Sequence, residues 1–335
     1  MLIEKLTSAC GLPGFEDEVR DIIKAELEGI CEMHTDNIGN LFAVKNANAP
    51  GPHYAISAHM DEVGLCVKWI DANGYIKFAT WGVEQRVLPS MRVLVGNDKM
   101  PGVIGCKPIH LQKPNESNSA YEIDAMYIDI GCDKKEETEK FVNIGDFIAF
   151  DSKYTEFGEN KIKAKALDDR VGCAAIIELL KMDLPYKITG VFCVQEEAGL
   201  RGSTVASQSL HADLVINIEG TICADMEGIK KHEHVTTQGA GPCLSVMDRT
   251  SVYQKPYLEA IVKTAEKNKI PYQYRRTAMG GTDSGNFHTA HTGTPCIGIS
   301  VPCRYIHSPV SVMHKHDYEN LVKLVACYIK EGVLA

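Results

Sequence analysis

The sequence predicts an α/β protein: a larger domain with a mostly parallel sheet flanked by helices, interrupted by a small β-rich barrel or sandwich. Two observations lead there. Before Cys66 and again after Lys163, apolar runs of strand length alternate with helical spacing, the pattern of a parallel sheet covered on both faces. Between them, from Cys66 to Phe150, the texture changes to short segments separated by turn signals, the pattern of a small antiparallel module.

The elements follow in order. Phe15 to Ile30 carries Val19, Ile22, Ile23 and Leu27 at helical spacing, with acidic residues in its first turn, and so reads as an amphipathic helix. Asn40 to Val44 and His53 to Ala58 read as strands, the second running into HMDEVG. The segments VKWID, YIKFAT, RVLVG, GVIGC, MYIDIG and GDFIAF, with Asn73-Gly74 between the first two, form the inserted module. Lys113 to Ala120, polar and rich in Asn and Ser, reads as its mobile loop. ALDDR then leads into a helix through Val171, Ala175, Ile176, Leu179 and Leu180. A strand at 188–194, a run from Asp213 to Ile218 ending in Glu219, a helix near 257–267, a strand near 294–300 and a closing helix from Tyr318 to Val333 complete the chain. The domain division is therefore residues 1–65 with 161–335, and 66–160 as the insertion.

Composition excludes several classes of partner. The net charge of -9 and the lack of a long Lys/Arg run argue against nucleic acid and against an anionic membrane surface. No apolar stretch reaches the roughly 18 residues a membrane-spanning helix needs, and MLIEKLTSACGLPG has no basic-then-apolar leader pattern, so a cytoplasmic location is expected. The 12 cysteines contain no C-x-x-C pair, and several sit in apolar runs, as small core residues do in a reducing compartment.

Ligands of a mostly parallel sheet bind beyond the carboxyl ends of its strands. Ile188 to Gly202, ITGVFCVQEEAGLRG, is an apolar run that delivers two adjacent carboxylates, Glu196 and Glu197, to that edge. Neighbouring side chains on an extended backbone point opposite ways, so one can hold a metal while the other handles a proton. His59, Asp168, Glu219 and His307 end other elements in the same manner. Imidazole mixed with carboxylate suits Zn²⁺ or Co²⁺, and two metals sharing a bridging carboxylate can hold a hydroxide between them. Asp61, two residues from His59, shares its face of an extended chain and can accept the second imidazole N–H.

SAHMDEVG, KALDDRVG, QEEAGLRG, MGGTDSG and PCRYIHSP, in this order and at these spacings, resemble the dinuclear-metal glutamyl/deblocking aminopeptidases, often called tetrahedral aminopeptidases. The resemblance runs from the first helix to the last. It implies a metal-dependent aminopeptidase acting on short peptides, with a β-rich dimerisation domain inserted into the catalytic domain. It implies Asp168 as the carboxylate bridging two divalent ions, commonly with a cis peptide bond to Asp169. His59 and Glu219 would complete one metal site, and Glu197 and His307 the other. Glu196 would be the general base and Asp61 the partner of His59. Many relatives carry Asp where this chain has Glu219. The resemblance also implies dimers assembling into a tetrahedral dodecamer.

Gly280, Gly281, Thr282 and Asp283 are candidates to line the cleft, and Arg304 to meet a peptide carboxylate or form a structural ion pair. His232, His234, His288, His291, His314 and His316 receive no role. Two other readings exist. A glycosidase would use the paired carboxylates, but adjacent residues facing opposite ways are poorly placed to flank one bond, and two histidines are left unexplained. An inactive scaffold of the same fold would have lost a ligand or Glu196, whereas every position here is chemically competent.

Overall fold

The computed structural model describes residues 1–113 and 118–334; of the loop expected at 113–120, residues 114–117 lie outside the described residues. The main sheet runs, edge to edge, through Glu32–Thr35, Leu41–Lys45, Lys187–Cys193, His53–His59, Leu214–Ile222, Cys296–Arg304, Ser311–His314, Lys161–Ala164 and Thr155–Phe157, with short strands Cys243–Leu244 and Gln273–Tyr274 at one side. It is a mixed sheet. Pairing is parallel among the four central strands, from Lys187–Cys193 to Cys296–Arg304, and antiparallel along the main path outside them. Three of the antiparallel pairs, Glu32–Thr35 with Leu41–Lys45, Thr155–Phe157 with Lys161–Ala164, and Cys296–Arg304 with Ser311–His314, are joined by short connections, which antiparallel pairing permits without a crossover helix.

The central strands are buried on both faces, which is why they read as unbroken apolar runs. Tyr54, Ile56 and Ala58 point into a core shared with helices Asp17–Leu27, Leu167–Lys181, Lys255–Lys267 and Lys315–Glu331. Ala55, Val191 and Val215 point the other way, toward Ala206 of helix Arg201–Ser209 and Phe287 of helix Ser284–Thr289.

The inserted module is a closed antiparallel barrel of strands Gly64–Ile70, Ile76–Trp81, Tyr127–Asp129, Met100–Gly105, Arg92–Val95 and Phe147–Phe150, in that spatial order. Closure removes free strand edges, and Val67, Phe78, Ile104, Ile128 and Ile148 give it a core of its own. Thr155–Phe157 already pairs within the main sheet. The chain enters the barrel just after His59 and returns through Lys161–Ala164 just before Asp168, so both crossings are also site loops.

A buried ion network fixes these crossings. Lys165 Nζ donates to both carboxylate oxygens of Glu62 at 2.6 and 2.8 Å, and Arg170 Nη2 donates to Glu62 at 3.2 Å. Arg170 also donates to the carbonyls of Met60, Leu6 and Gly11, tying the N-terminal segment to both loops. Removing one member of such a buried set costs about 3–5 kcal/mol, so the network holds the site loops firmly. The cysteines are all free thiols. Among the described residues no helix is long and apolar enough to cross a membrane.

Candidate active site and metal centre

His59 closes its strand, Glu219 lies within Leu214–Ile222, and Glu196 and Glu197 follow Lys187–Cys193 directly. His307 sits in the turn after Cys296–Arg304, and Asp168 opens the helix Leu167–Lys181 beside a cis peptide bond to Asp169. The fold brings all six together around one cavity of about 310 Å³. Parallel register explains the convergence: Cys193 lies level with His59, and the glutamate pair follows three and four residues further on.

Asp168 is the shared centre of the arrangement. Its Oδ1 lies 3.5 Å from His59 Nε2, and Glu219 Oε2 lies 3.5 Å from the same nitrogen. On the other side, donor atoms of Asp168, Glu197 and His307 fall within 4.8 Å of one another. Asp168 Oδ1 is buried with no hydrogen-bond partner, an arrangement expected of a carboxylate oxygen reserved for a cation. The donor set of carboxylate and imidazole fits a divalent ion of the Zn²⁺ or Co²⁺ type. Asp169 also has a donor near His59 and Glu219, but its oxygens accept from the backbone N–H groups of His59 and Gly172 at 3.3 and 3.0 Å. It holds loops together.

Neighbouring groups set the orientation of the donors. Asn217 Nδ2 donates to Glu219 Oε1 at 2.9 Å, so the longer arm of a glutamate is held with Oε2 turned toward His59. Gly220 lies where a Cβ would come within 2.9 Å of the Asp168 side chain, so only glycine lets the Asp168 loop rest on the Glu219 strand. His307 Nδ1 donates to the carbonyl of Gly82, a barrel residue, at 2.9 Å, which leaves Nε2 as the free ring donor atom. A side chain at Gly82 would also be strained at φ +67° and would press on Glu197. The barrel therefore shapes the site directly.

Asp61 has more contacts than its position suggests. Its carboxylate accepts from the backbone N–H groups of Glu196 and Glu197, both at 2.9 Å, while His59 Nδ1 lies 3.1 Å from its carbonyl oxygen and 3.4 Å from Oδ1. One buried residue thus orients the ring and both glutamates.

Electrostatics follow from gathering carboxylates in a dry cleft. Burial, joined by neighbouring carboxylates, pushes Glu196 and Glu219 well above the usual range and Glu197 up to about 7. Burial opposes protonation of His59, but the nearby carboxylates of Asp168 and Asp61 prevail and hold its pKa well above the ordinary value. Folded-state pKa values above 4.5 mean that the metal-free fold binds extra protons from about pH 4.5 to 7. The stability they contribute is complete below that window and is lost as pH rises through it. The metal-free protein is accordingly expected to melt lower at about pH 8 than at about pH 5.5, and added divalent ion should raise the melting temperature more at the higher pH. Thermal melts showing a metal-free protein equally stable at both values would contradict this electrostatic picture.

Gly280, Gly281 and Thr282 line the cavity as expected, while Asp283 is fully buried and absent from its lining. Arg304 is a structural ion pair: its Nε and Nη2 donate to the Asp225 carboxylate at 2.7 and 2.9 Å. None of the six unassigned histidines lines the cavity. Two residues that sequence reasoning did not single out, Arg249 and Arg275, do line it. Arg275 directly follows the two-residue strand Gln273–Tyr274 and Arg249 lies between Cys243–Leu244 and the helix Lys255–Lys267, neither within a motif that marks it out.

Comparison with known proteins defines the class. Residues 39–324 match the family described as M42 glutamyl aminopeptidase. A solved aminopeptidase from the archaeon Desulfurococcus kamchatkensis superposes with a TM-score of 0.93 at 33% identity, covering 98% of this chain and 94% of that one. The Pyrococcus horikoshii TET1 peptidase, described as able to assemble into a tetrahedron or a large octahedral shell, gives a TM-score of 0.87 at 30% identity over 99% of this chain and 100% of its own. The lysyl aminopeptidase of Pyrococcus furiosus is 28% identical over 98% of this chain and 96% of its own. Fold, site and relatives together define an aminopeptidase of the metallopeptidase type. The chain belongs to the M42 glutamyl aminopeptidase family. That family is described by glutamyl residues and one relative by lysyl, so membership alone does not assign a preferred residue.

Proposed function

We propose that the protein is a two-metal aminopeptidase that removes N-terminal residues from short peptides, with Glu196 as general base. The observation that carries this reading is the buried, unpartnered Asp168 Oδ1 standing between two donor groups. In it, His59 and Glu219 hold one ion, Glu197 and His307 the other, and Asp168 both. Ions held there would supply Lewis-acid polarisation of the scissile carbonyl and acidification of the attacking water. Glu196, committed to neither ion, takes the proton from that water and returns it to the departing amine nitrogen. Asp61 keeps Glu196 and Glu197 from exchanging roles by fixing both backbone N–H groups. Hydrolysis of a panel of aminoacyl-nitroanilides by metal-stripped protein, with Zn²⁺, Co²⁺ and Mn²⁺ restored in turn, tests the reading. Activity should appear only on metal addition, and turnover of no substrate with any ion would refute it.

Residues 66–160 are proposed as the dimerisation domain of a tetrahedral dodecamer, which would admit only small peptides. Supporting this, the inserted module exposes large apolar side chains, including Trp69, Ile109 and Ile144. Closed symmetry is the usual way to cover such a surface. Light scattering is expected to give a particle of twelve subunits, and a monomer with full metal loading would remove the claim.

A further inference from the structure

Strand pairing on both sides of Lys187–Cys193 stops by Cys193, and the chain runs on through Val194, Gln195, Glu196 and Glu197 with four backbone N–H groups still to satisfy. Side chains from three other segments take all four. Asn40 Oδ1 accepts from the Val194 N–H at 3.0 Å, Glu16 Oε1 from the Gln195 N–H at 3.0 Å, and the Asp61 carboxylate from the N–H groups of Glu196 and Glu197. All three acceptors are buried, Glu16 being 3% exposed and Asn40 and Asp61 fully enclosed. The carbonyls of Val194, Gln195 and Glu196 accept in turn from the amides of Gly202, Arg201 and Gly199, which folds residues 194–202 into a closed loop.

Glu16 grips the residue directly before Glu196. It stands just ahead of the helix Asp17–Leu27, and its Oε1 also accepts from the Gly14 N–H at 2.9 Å, so one oxygen ties the N-terminal turn to the glutamate loop. Gln195 has φ +54°, a left-handed backbone that a residue other than glycine keeps only where its surroundings enforce it. That turn separates the buried strand from the two glutamates and sets the direction in which they leave it. Asn40 is itself fixed, donating from Nδ2 to Asp36 Oδ2 at 2.7 Å and to the Gly202 carbonyl at 2.9 Å. Burial, joined by the Asp61 carboxylate, pushes Glu16 up to about 7, so the place disfavours charge and what it uses is the acceptor oxygen.

We propose that Glu16 is a positioning residue for the reaction: through the Gln195 amide it fixes where Glu196 and Glu197 stand in the cavity. This rests on reading Glu196 as the base and Glu197 as a metal ligand. A misplacement of about 1 Å costs about 10²-fold in rate, so a loosened loop should show in turnover before it shows in substrate binding. Both hydrogen bonds end on Oε1, so glutamine at this position can make them, whereas aspartate, one methylene shorter, falls short of Gln195.

Wild type, E16A, E16D and E16Q are compared as full-length, metal-loaded enzymes, with bound metal measured. In E16A and E16D, amide hydrogen exchange over residues 194–202 should accelerate by on the order of 10-fold, while the strand His53–His59 keeps its wild-type protection. Hydrolysis of Leu-p-nitroanilide should lose on the order of 10²-fold in kcat in both variants, with KM close to wild type. E16Q should match wild type in exchange and lie within about threefold of it in kcat. E16A with wild-type kcat, or with wild-type exchange over 194–202, would overturn the proposal. So would exchange that rises equally in His53–His59, which marks a general loss of stability, or an E16Q protein as impaired as E16A, which assigns the effect to charge. If the wild type hydrolyses no peptide substrate, the aminopeptidase reading falls instead, and exchange alone decides. Loosening over 194–202 in E16A but not in E16Q then supports the tie, and equal protection in all variants removes it.

Discussion

Glu196→Gln is expected to lower kcat by about 10²- to 10⁴-fold, with metal content and KM close to wild type. The attacking water must lose a proton and the leaving amine must gain one, and Glu196 is the cavity carboxylate that the proposed ligand sets leave free. Glutamine keeps its shape and its backbone bond to Asp61 but has no basic oxygen. A purely structural role for Glu196 gives the opposite pattern, near-normal turnover with a lowered melting temperature. A variant with intact metals and kcat within about tenfold of wild type would move the role to another group, with Asp61 the first to examine.

Asp168→Asn is expected to release both metal ions together and abolish turnover, as exhaustive chelation of the wild type should. The bridge loses its charge and one ligand oxygen at the point where the two donor groups meet, and metal affinity depends on deprotonated ligands. Changing Glu219 or His307 should weaken mainly one ion, because each lies on one side of Asp168 in the proposed arrangement. Metal analysis finding two full equivalents in the Asp168→Asn protein would count against the bridging role.

The legible part of this site is the part written at strand ends. His59 and Glu197 stand out in the sequence because a charged or polar group at the carboxyl end of a buried apolar strand is conspicuous, and Glu219, inside the strand Leu214–Ile222, because such a strand rarely carries charge along its length. The inserted barrel was legible for a related reason: its short strands and turn residues break the helix-strand alternation around it. Other features have no local signature. The antiparallel pairing of the outer strands, such as Leu41–Lys45 with Lys187–Cys193, joins segments far apart in sequence, which no periodicity encodes. Asp61 reads as a partner for His59, but its grip on the Glu196 and Glu197 amides requires two segments 135 and 136 residues apart to meet. Arg249 and Arg275 carry no motif signature, and their partners Gly280 and Thr221 are distant in sequence, whereas Arg304, conspicuous beside a motif, is held by Asp225.

The central claim is that two ions flank Asp168, and anomalous diffraction from Zn²⁺- or Co²⁺-loaded crystals tests it most directly. The account predicts two peaks in each subunit, one within coordination distance of His59, Glu219 and Asp168 and the other of Glu197, His307 and Asp168. A fully loaded, active enzyme with a single peak, or with peaks that do not touch Asp168, would contradict it.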